Sequence, residues 1–449
     1  MKVLKFGGTS MATAEQIKKV YDIIISDPER RMVVVSAPGK RFENDIKITD
    51  LLIKYANKIS LNQIAEEEKG LILRRYIEIA EGLKLDREII ESIVDGINNQ
   101  LTYSYNDLNY FFEAVKSIGE NTSAKIVAHY FQKMGHEAYY INPKEAGLIL
   151  SDELGKARVL DKSYTNLNAL KERSGILIFP GFFGYTDEGN IITFPRGGSD
   201  ITGSILAAAL NADIYENFTD VDSIYVVNPK IINNPKEICQ LTFTEMRELS
   251  YSGFTVFNEE ALMPAYRAGI TVNVKNTNNS SAKGTMIVQE RETYTNPITG
   301  IASDNGFCSI YVSKYLMNRE VGFGRKLLKI LEDENLSYEH TPSGIDNISV
   351  ILREHQLNST SEERILTRIK NELQVDDIMI QHNLAMVMIV GEGMKQTVGI
   401  AARATMALAE ARINIEMINQ GSSEVSMMFG ISAEDEKRAV TALYNEFFA

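Results

Sequence analysis

Lys5-Phe6-Gly7-Gly8-Thr9-Ser10 lies between the apolar run Val3 to Phe6 and a stretch with Ile17, Val20, Tyr21 and Ile24 at helical spacing. A strand, a glycine turn and a helix start follow one another there. Glycines let backbone N–H groups approach an anion, a helix N-terminus adds partial positive charge and Lys5 a whole one, so a phosphate suits the pattern. An ordinary tight turn with a solvated lysine is the plainer alternative. Thr13 and Gln16 are spaced for a capping box at the helix start.

A second cluster, Arg196-Gly197-Gly198-Ser199-Asp200, follows the run Ile191 to Phe194 and opens a helix with Ile201, Ile205 and Ala209 on one side. Arginine clasps a carboxylate through two parallel hydrogen bonds. Asp200 beside an anion needs a cation such as Lys5, or a metal to position. Gly119-Glu120-Asn121 closes a helix-like stretch, where Glu120 is either a partner for an ammonium or a charged helix end. Thr219-Asp220-Val221-Asp222, the apolar run Ile224 to Val227 and Asn228-Pro229-Lys230 form either a loop pair able to grip a nucleotide or two surface turns.

Other chemistries drop out. Gly39-Lys40 runs into Arg41 and Gly155-Lys156 into Ala157, so neither completes a P-loop, and G-x-S-x-G, H-E-x-x-H and the dinucleotide fingerprint are missing. The net charge of -13 repels a phosphate backbone, which argues against nucleic acid as a partner. No apolar run reaches the roughly 18 residues that cross a bilayer, so no membrane partner is expected. The opening MKVLKFGGTS is too short in apolar residues for a signal peptide, and two distant cysteines, Cys239 and Cys308, suit a reducing cytoplasm and give no metal-ligand spacing.

The elements that must position these groups read as α/β. From Met1 to about Val288, short apolar runs such as Met32 to Val35 and Ile176 to Phe179 alternate with helical periods, the pattern of a largely parallel sheet covered by helices. Glu43 to Lys116 is a charged, helix-favouring elaboration, and the charges from Glu66 to Arg87 read as a solvated face. The turn-forming run NTNNSSAKG at Asn276 to Gly284 marks a shift in composition. A length of 449 residues allows about three domains.

Beyond it two segments repeat with one offset: Gly322 and Gly399, Leu331 and Leu408, Leu336 and Ile413, Glu339 and Glu416, Ser349 and Ser426 all stand 77 residues apart. Each copy reads as a strand (Cys308 to Val312, Ala385 to Val390), a glycine, an amphipathic helix and two strands (within Leu336 to Leu352 and Ile413 to Ile431). Units so small bury little alone, so the copies pair with each other or with a second chain.

KFGGTS, VSA at Val35 to Ala37, GEN at Gly119 to Asn121, RGGSD at Arg196 to Asp200 and TDVxxIY from Thr219 to Tyr225 occur in one register, followed by tandem repeats resembling ACT domains and ending in QGSSEVS (Gln420 to Ser426). Together they resemble aspartate kinase of the amino-acid kinase superfamily. The resemblance implies a three-layer αβα kinase domain with a mainly parallel central sheet over 1–290, then two βαββ, ferredoxin-like ACT domains at 305–378 and 379–449, with the strand at 298–302 a candidate for sharing with the second. It implies transfer of phosphate from ATP, with Mg2+ held mainly through the ATP phosphates, to the side chain of L-aspartate. The product is 4-phospho-L-aspartate, first on the route to lysine, threonine and methionine.

By position, the resemblance assigns Lys5, Gly7, Gly8 and Ser10 to the ATP phosphates, with Lys5 and Asp200 catalytic. Thr219, Asp220, Tyr225 and Lys230 go to the nucleotide. Ser36, Thr49, Glu120, Arg196, Gly197, Gly198 and Ser199 go to aspartate, Glu120 meeting its ammonium and Arg196 its α-carboxylate. Met317, Ser337 and Glu339 are candidates for an end-product effector, lysine favoured over threonine, acting on a homodimer or homotetramer joined through the ACT units. Three departures from the family stand out: a longer loop from Pro38 to Ile48, Thr255 in place of a lysine, and Asn228 in place of an acid. Another amino-acid kinase acting on glutamate or N-acetylglutamate, and a non-catalytic amino-acid sensor keeping the fold, are the competing readings.

Overall fold

The computed structural model describes residues 1–102, 107–195, 197–254, 259–292, 296–421 and 423–449. They divide into two compact units: Met1–Ile224, Glu237–Met246 and Thr255–Arg291 make the first, and Tyr225–Lys236, Arg247–Phe254 and Glu292–Ala449 the second.

The first unit is built on eight strands, β1 (Lys2–Phe6), β2 (Arg30–Val35), β3 (Ala138–Tyr140), β4 (Ile176–Pro180), β5 (Ile214–Thr219), β6 (Gln240–Thr242), β7 (Val272–Asn276) and β8 (Thr285–Val288). They lie in the order β6-β8-β7-β5-β1-β2-β4-β3, and every neighbouring pair is parallel except β7 with β8. The apolar runs are buried on both faces, as expected of parallel strands. Because the chain builds outward from β1 in both directions, a crevice opens at the carboxyl ends of β1 and its neighbours, where sheets of this kind bind ligands.

Helices α1 (Ala14–Ile25), α2 (Ile48–Ser60), α3 (Glu66–Gly82), α4 (Arg87–Thr102) and α5 (Leu108–Lys133) share a core with Leu4, Phe6, Val33 and Val35, while α6 (Gly198–Ala209) packs on β1, β2 and β5. Thr13 caps α1, its hydroxyl accepting the Gln16 N–H at 3.3 Å. The reciprocal half of the capping box does not form, because the Gln16 amide donates to Asn278 instead (3.1 Å).

Gly119-Glu120-Asn121 does not end a helix but sits inside the 26-residue α5. The polar run Glu120 to Ser123 has the propensity of a terminus, yet those residues are buried and Ala124, Ile126 and Val127 continue the packing, so tertiary contacts override local preference. Nor is the stretch from Glu66 to Arg87 wholly solvated. Glu68 and Arg75 are buried and paired with Lys58 (2.7 Å) and Asp45 (2.9 Å).

The second unit carries a five-stranded antiparallel sheet of β9 (Gly300–Ser313), β10 (Asn347–Arg353), β11 (Asp377–Val390), β12 (Met417–Asn419) and β13 (Ser426–Ser432), in the order β10-β9-β11-β13-β12. Four helices accompany it, α7 (Phe323–Asp333), α8 (Ser359–Leu373), α9 (Ile400–Glu410) and α10 (Glu436–Phe448). The repeated glycines cap α7 and α9, with φ of 78° at Gly322 and 90° at Gly399, a left-handed conformation that favours glycine.

The first repeat is inserted in the second. Gly300–Asn305 of β9 runs beside Ala385–Val390, whereas Ser309–Ser313 runs beside Asp377–Gln381. The boundary expected between 378 and 379 therefore falls inside β11, whose Ile378 and Ile380 pack on the core of the first repeat. Two expected strands shrink as well: Leu336 to Leu352 holds only β10, with isolated bridges at His340 and Ser343, and Ile224 to Val227 only Ile224–Tyr225. Among the described residues no helix is long and apolar enough to cross a membrane.

Candidate active site

Strand alternation turns Leu4 and Phe6 toward the core beneath α1–α5 and Lys5 toward α6. There the Lys5 Nζ pairs with Asp200 Oδ1 at 2.7 Å, with the lysine only 8% exposed. A solvated lysine is thus excluded. Asp200 Oδ1 also accepts from Asn217 Nδ2 at 2.7 Å, and Asn217 faces Lys5 in register across β1 and β5. The Tyr215 hydroxyl donates to the Asp200 carbonyl at 3.2 Å, which ties β5 to the first turn of α6.

Gly7 donates to the Phe218 carbonyl at 3.1 Å, so the glycine turn continues the β1–β5 ladder before a 3-10 turn at Gly8–Met11. The Ser10 hydroxyl bonds the Thr277 hydroxyl at 2.8 Å, and Thr277 N–H donates to the Thr219 carbonyl at 3.0 Å. Thr219 and Asp220 therefore stand at the carboxyl end of β5, next to the strand that carries Gly7 and Gly8.

Ala37, just past β2, is where three pieces meet. A Cβ on Gly8 would lie 3.0 Å from the Ala37 carbonyl, and one on Gly119 would lie 2.7 Å from the Ala37 side chain, closer than carbon atoms pack. Both glycines are required by close approach. The Ala37 backbone N–H is close enough to the Glu120 carboxyl to favour its charged form, while Tyr76 donates to the Gly119 carbonyl at 2.7 Å and fixes this turn of α5. Glu120 is 5% exposed and its Oε2 has no hydrogen-bond partner among the described residues. Burial pushes its carboxyl up to about 8, with the Ala37 and Glu120 backbone N–H groups pulling the other way.

Ser199 reaches the same strand end from the far side. Its Oγ lies 2.6 Å from where a side chain on Gly181 would begin, and Gly181 N–H donates to the Val35 carbonyl at 3.0 Å. Gly197 (φ 83°) precedes α6, and Gly198 is its first residue, packed on Phe182 and Phe194. Ser36 donates its N–H to the Phe6 carbonyl at 3.2 Å and Thr49 is the second residue of α2, both half-buried. Arg196 and Thr255 lie outside the described residues.

The remaining expected residues belong to the second unit. Tyr225 and Lys230 group with the second unit, and Asn228 caps a local turn, its Oδ1 accepting the Lys230 N–H at 3.0 Å. Met317 is buried in the core of the first repeat. Ser337 is exposed and donates its N–H and hydroxyl to Gln356 Oε1, each at 3.0 Å. Glu339 is no free strand-end charge: it accepts from the Tyr251 hydroxyl and faces Arg353 Nε at 3.5 Å, so its carboxylate already has a cation.

Asn217, Tyr215, Thr277 and Glu113 were not singled out from the sequence. Asn217 carried a signal, a polar side chain within a strand buried on both faces and opposite Lys5. Glu113, also buried, accepts the Thr193 N–H at 2.7 Å and pairs with Lys116 at 2.6 Å, anchoring the strand that leads into Arg196. Nothing in its spacing pointed to that.

The geometry can hold an anion at the glycine turn and an ammonium at Glu120 on one crevice rim. Residues 1–276 match the amino acid kinase family, and residues 387–447 match an ACT domain. The chain is 55% identical over 449 residues to aspartokinase 3 of Bacillus subtilis (strain 168), covering 100% of this chain and 99% of that one. It matches the crystal structure of Clostridium acetobutylicum aspartate kinase with a TM-score of 0.89 and 38% identity, over 100% of both chains. E. coli aspartokinase III, crystallised with aspartate and ADP, shares the fold at a TM-score of 0.77 and 24% identity over 100% of both chains. The chain belongs to the amino acid kinase family and, within it, to the aspartate kinases.

Proposed function

We infer that the chain transfers the γ-phosphoryl group of ATP to the side-chain carboxylate of L-aspartate, giving 4-phospho-L-aspartate. The observation that carries this reading is the meeting at Ala37 of the glycine turn and the Glu120 carboxyl, whose Oε2 has no partner among the described residues. The nucleophile is a carboxylate with an ordinary pKa near 3.9, ionised at neutral pH, so no general base is needed. Catalysis then rests on placement and on neutralising the charge of the transferring group. Lys5 and the N–H groups of Gly7, Gly8 and Ser10 would face the phosphates. Asp200, held by Lys5 and Asn217, keeps the lysine aimed and is an oxygen donor of the kind Mg2+ takes. When bound with ATP, Mg2+ would offset phosphate charge.

In the same reading Glu120 takes the aspartate ammonium and Arg196 its α-carboxylate, with Ser36, Thr49, Gly197, Gly198 and Ser199 around it. Thr219 and Asp220 border the nucleotide, and Tyr225 and Lys230 complete its site. Residues 1–290 would carry catalysis, and the repeats at 305–378 and 379–449 would sense an end product. For sensing we favour lysine at Met317, Ser337 and Glu339, since E. coli aspartokinase III has been crystallised with lysine and aspartate. The Tyr251–Glu339 bond gives such a ligand something to break. Pairing of chains through the repeats and residence in the cytoplasm, where Cys239 and Cys308 stay unpaired thiols, belong to this proposal.

The test is ADP release with aspartate, glutamate or N-acetylglutamate as acceptor, repeated with lysine, threonine and both. Turnover with aspartate alone is expected. Turnover only with another acid, or none, would overturn the reading.

A further inference from the structure

The loop from Pro38 to Ile48 is closed at its base, where the Ile48 N–H donates to the Pro38 carbonyl at 3.1 Å. Its two ends carry Ser36 and Thr49. Inside it, Gly39 lies flat against the glycine turn: its N–H donates to the Gly8 carbonyl at 2.8 Å, and a Cβ there would fall 2.7 Å from the Gly8 carbonyl carbon and 2.9 Å from the Thr9 nitrogen. This backbone-on-backbone contact fixes the position of Gly8.

What holds the loop is a buried ion pair reaching in from α3. Arg75, 5% exposed, donates Nη1 to the Gly39 carbonyl at 3.1 Å and Nη2 to both oxygens of Asp45 at 2.9 Å. Asp45 is also bound by Arg41, through Nε at 2.9 Å, Nη2 at 3.1 Å and its backbone N–H at 2.9 Å. Removing Arg75 would leave Gly39 without its side-chain anchor and Asp45 with a partner on the loop alone.

We propose that Arg75 and Asp45 are positioning residues for phosphoryl transfer, a staple that presses Gly39 onto Gly8 and so sets the glycine turn against the aspartate side of the crevice. The proposal rests on the glycine turn holding the ATP phosphates. Neither residue touches a reacting atom. Displacement of a positioning element by about 1 Å can cost about a hundredfold in rate.

The experiment compares wild type with Arg75→Met, Arg75→Lys, Gly39→Ala and Lys5→Ala, reading ADP affinity by calorimetry, kcat and KM for each substrate, and thermal unfolding. In folded Arg75→Met we expect ADP affinity and kcat/KM for ATP to fall about tenfold or more, with part of the loss restored in Arg75→Lys. Gly39→Ala leaves the ion pair intact but pushes on the same contact, so it should give the same kinetic loss even if Arg75→Met fails to fold. Wild-type ADP affinity and kcat/KM in either folded variant, alongside an inactive Lys5→Ala, would overturn the staple alone. An active Lys5→Ala would overturn the phosphate-turn reading and the staple with it.

Discussion

Glu120→Gln is the most informative single change, because in the proposed function one buried carboxyl would govern both stability and substrate binding. The unfolded chain ionises this group near 4.5, whereas the native protein keeps its proton up to about 8. Its contribution to stability is therefore fully present below pH 4.5 and is lost as pH rises through 8. At pH 7.5 that loss amounts to about 4 kcal/mol. Glutamine cannot ionise, but its amide introduces donors that must find partners, at about 1–3 kcal/mol. Urea unfolding should then show the variant about 1–3 kcal/mol more stable than wild type at pH 8, and no more stable at pH 4. Aspartate binding should report the same proton. At pH 7 roughly nine wild-type molecules in ten carry it, and a bound ammonium favours the ionised form, so calorimetry in two buffers of different ionisation enthalpy should show nearly one proton released per aspartate. The variant should release none and bind aspartate about a hundredfold more weakly, since a buried ammonium would lack its counter-charge. Parallel pH–stability curves for the two proteins, or an unchanged aspartate affinity, would refute the reasoning.

Three further outcomes are expected. Lys5→Ala should lower kcat by about a hundredfold or more without loss of the cooperative unfolding transition, since in the proposed site it removes charge at the phosphates and opens no apolar cavity; steady-state ADP release checks this. Gly119→Ala should destabilise the fold by about 1–3 kcal/mol, because its Cβ would press on Ala37 at 2.7 Å, and turnover should fall with it; urea denaturation and ADP release report the two. Tyr251→Phe, which deletes the bond to Glu339, should shift the concentration of lysine needed for half-inhibition by about threefold or more while uninhibited turnover stays within twofold of wild type. An unshifted inhibition curve would detach Glu339 from effector sensing.

The sheet and the site's principal groups were legible because they obey local rules. Apolar runs gave β1, β2 and β4, and the need of Asp200 for a cation foretold its pairing with Lys5. What the residues did not disclose depends on contacts made at long range. Glu120 looked like a helix end because polar residues follow it, and only the packing of α5 against Ala37 and Tyr76 shows why the helix continues. Arg75 sat in a charged stretch indistinguishable from a solvated face until Asp45, 30 residues away, came beside it. The 77-residue repeat revealed two similar units, but the insertion of one within the other is invisible to periodicity, since each half-strand has the same pattern whichever partner it pairs with.

That insertion bears on how the C-terminal repeats could be cut or recombined. Because β9 and β11 each run through both repeats without interruption, the second repeat is made of two separate stretches of chain and could not be excised, replaced by a homologue's or expressed by itself without cutting both strands and removing the first. A chimera with altered end-product response would have to transplant the pair as one piece, and any tilt imposed on one repeat would be levered directly into its neighbour through shared covalent chain.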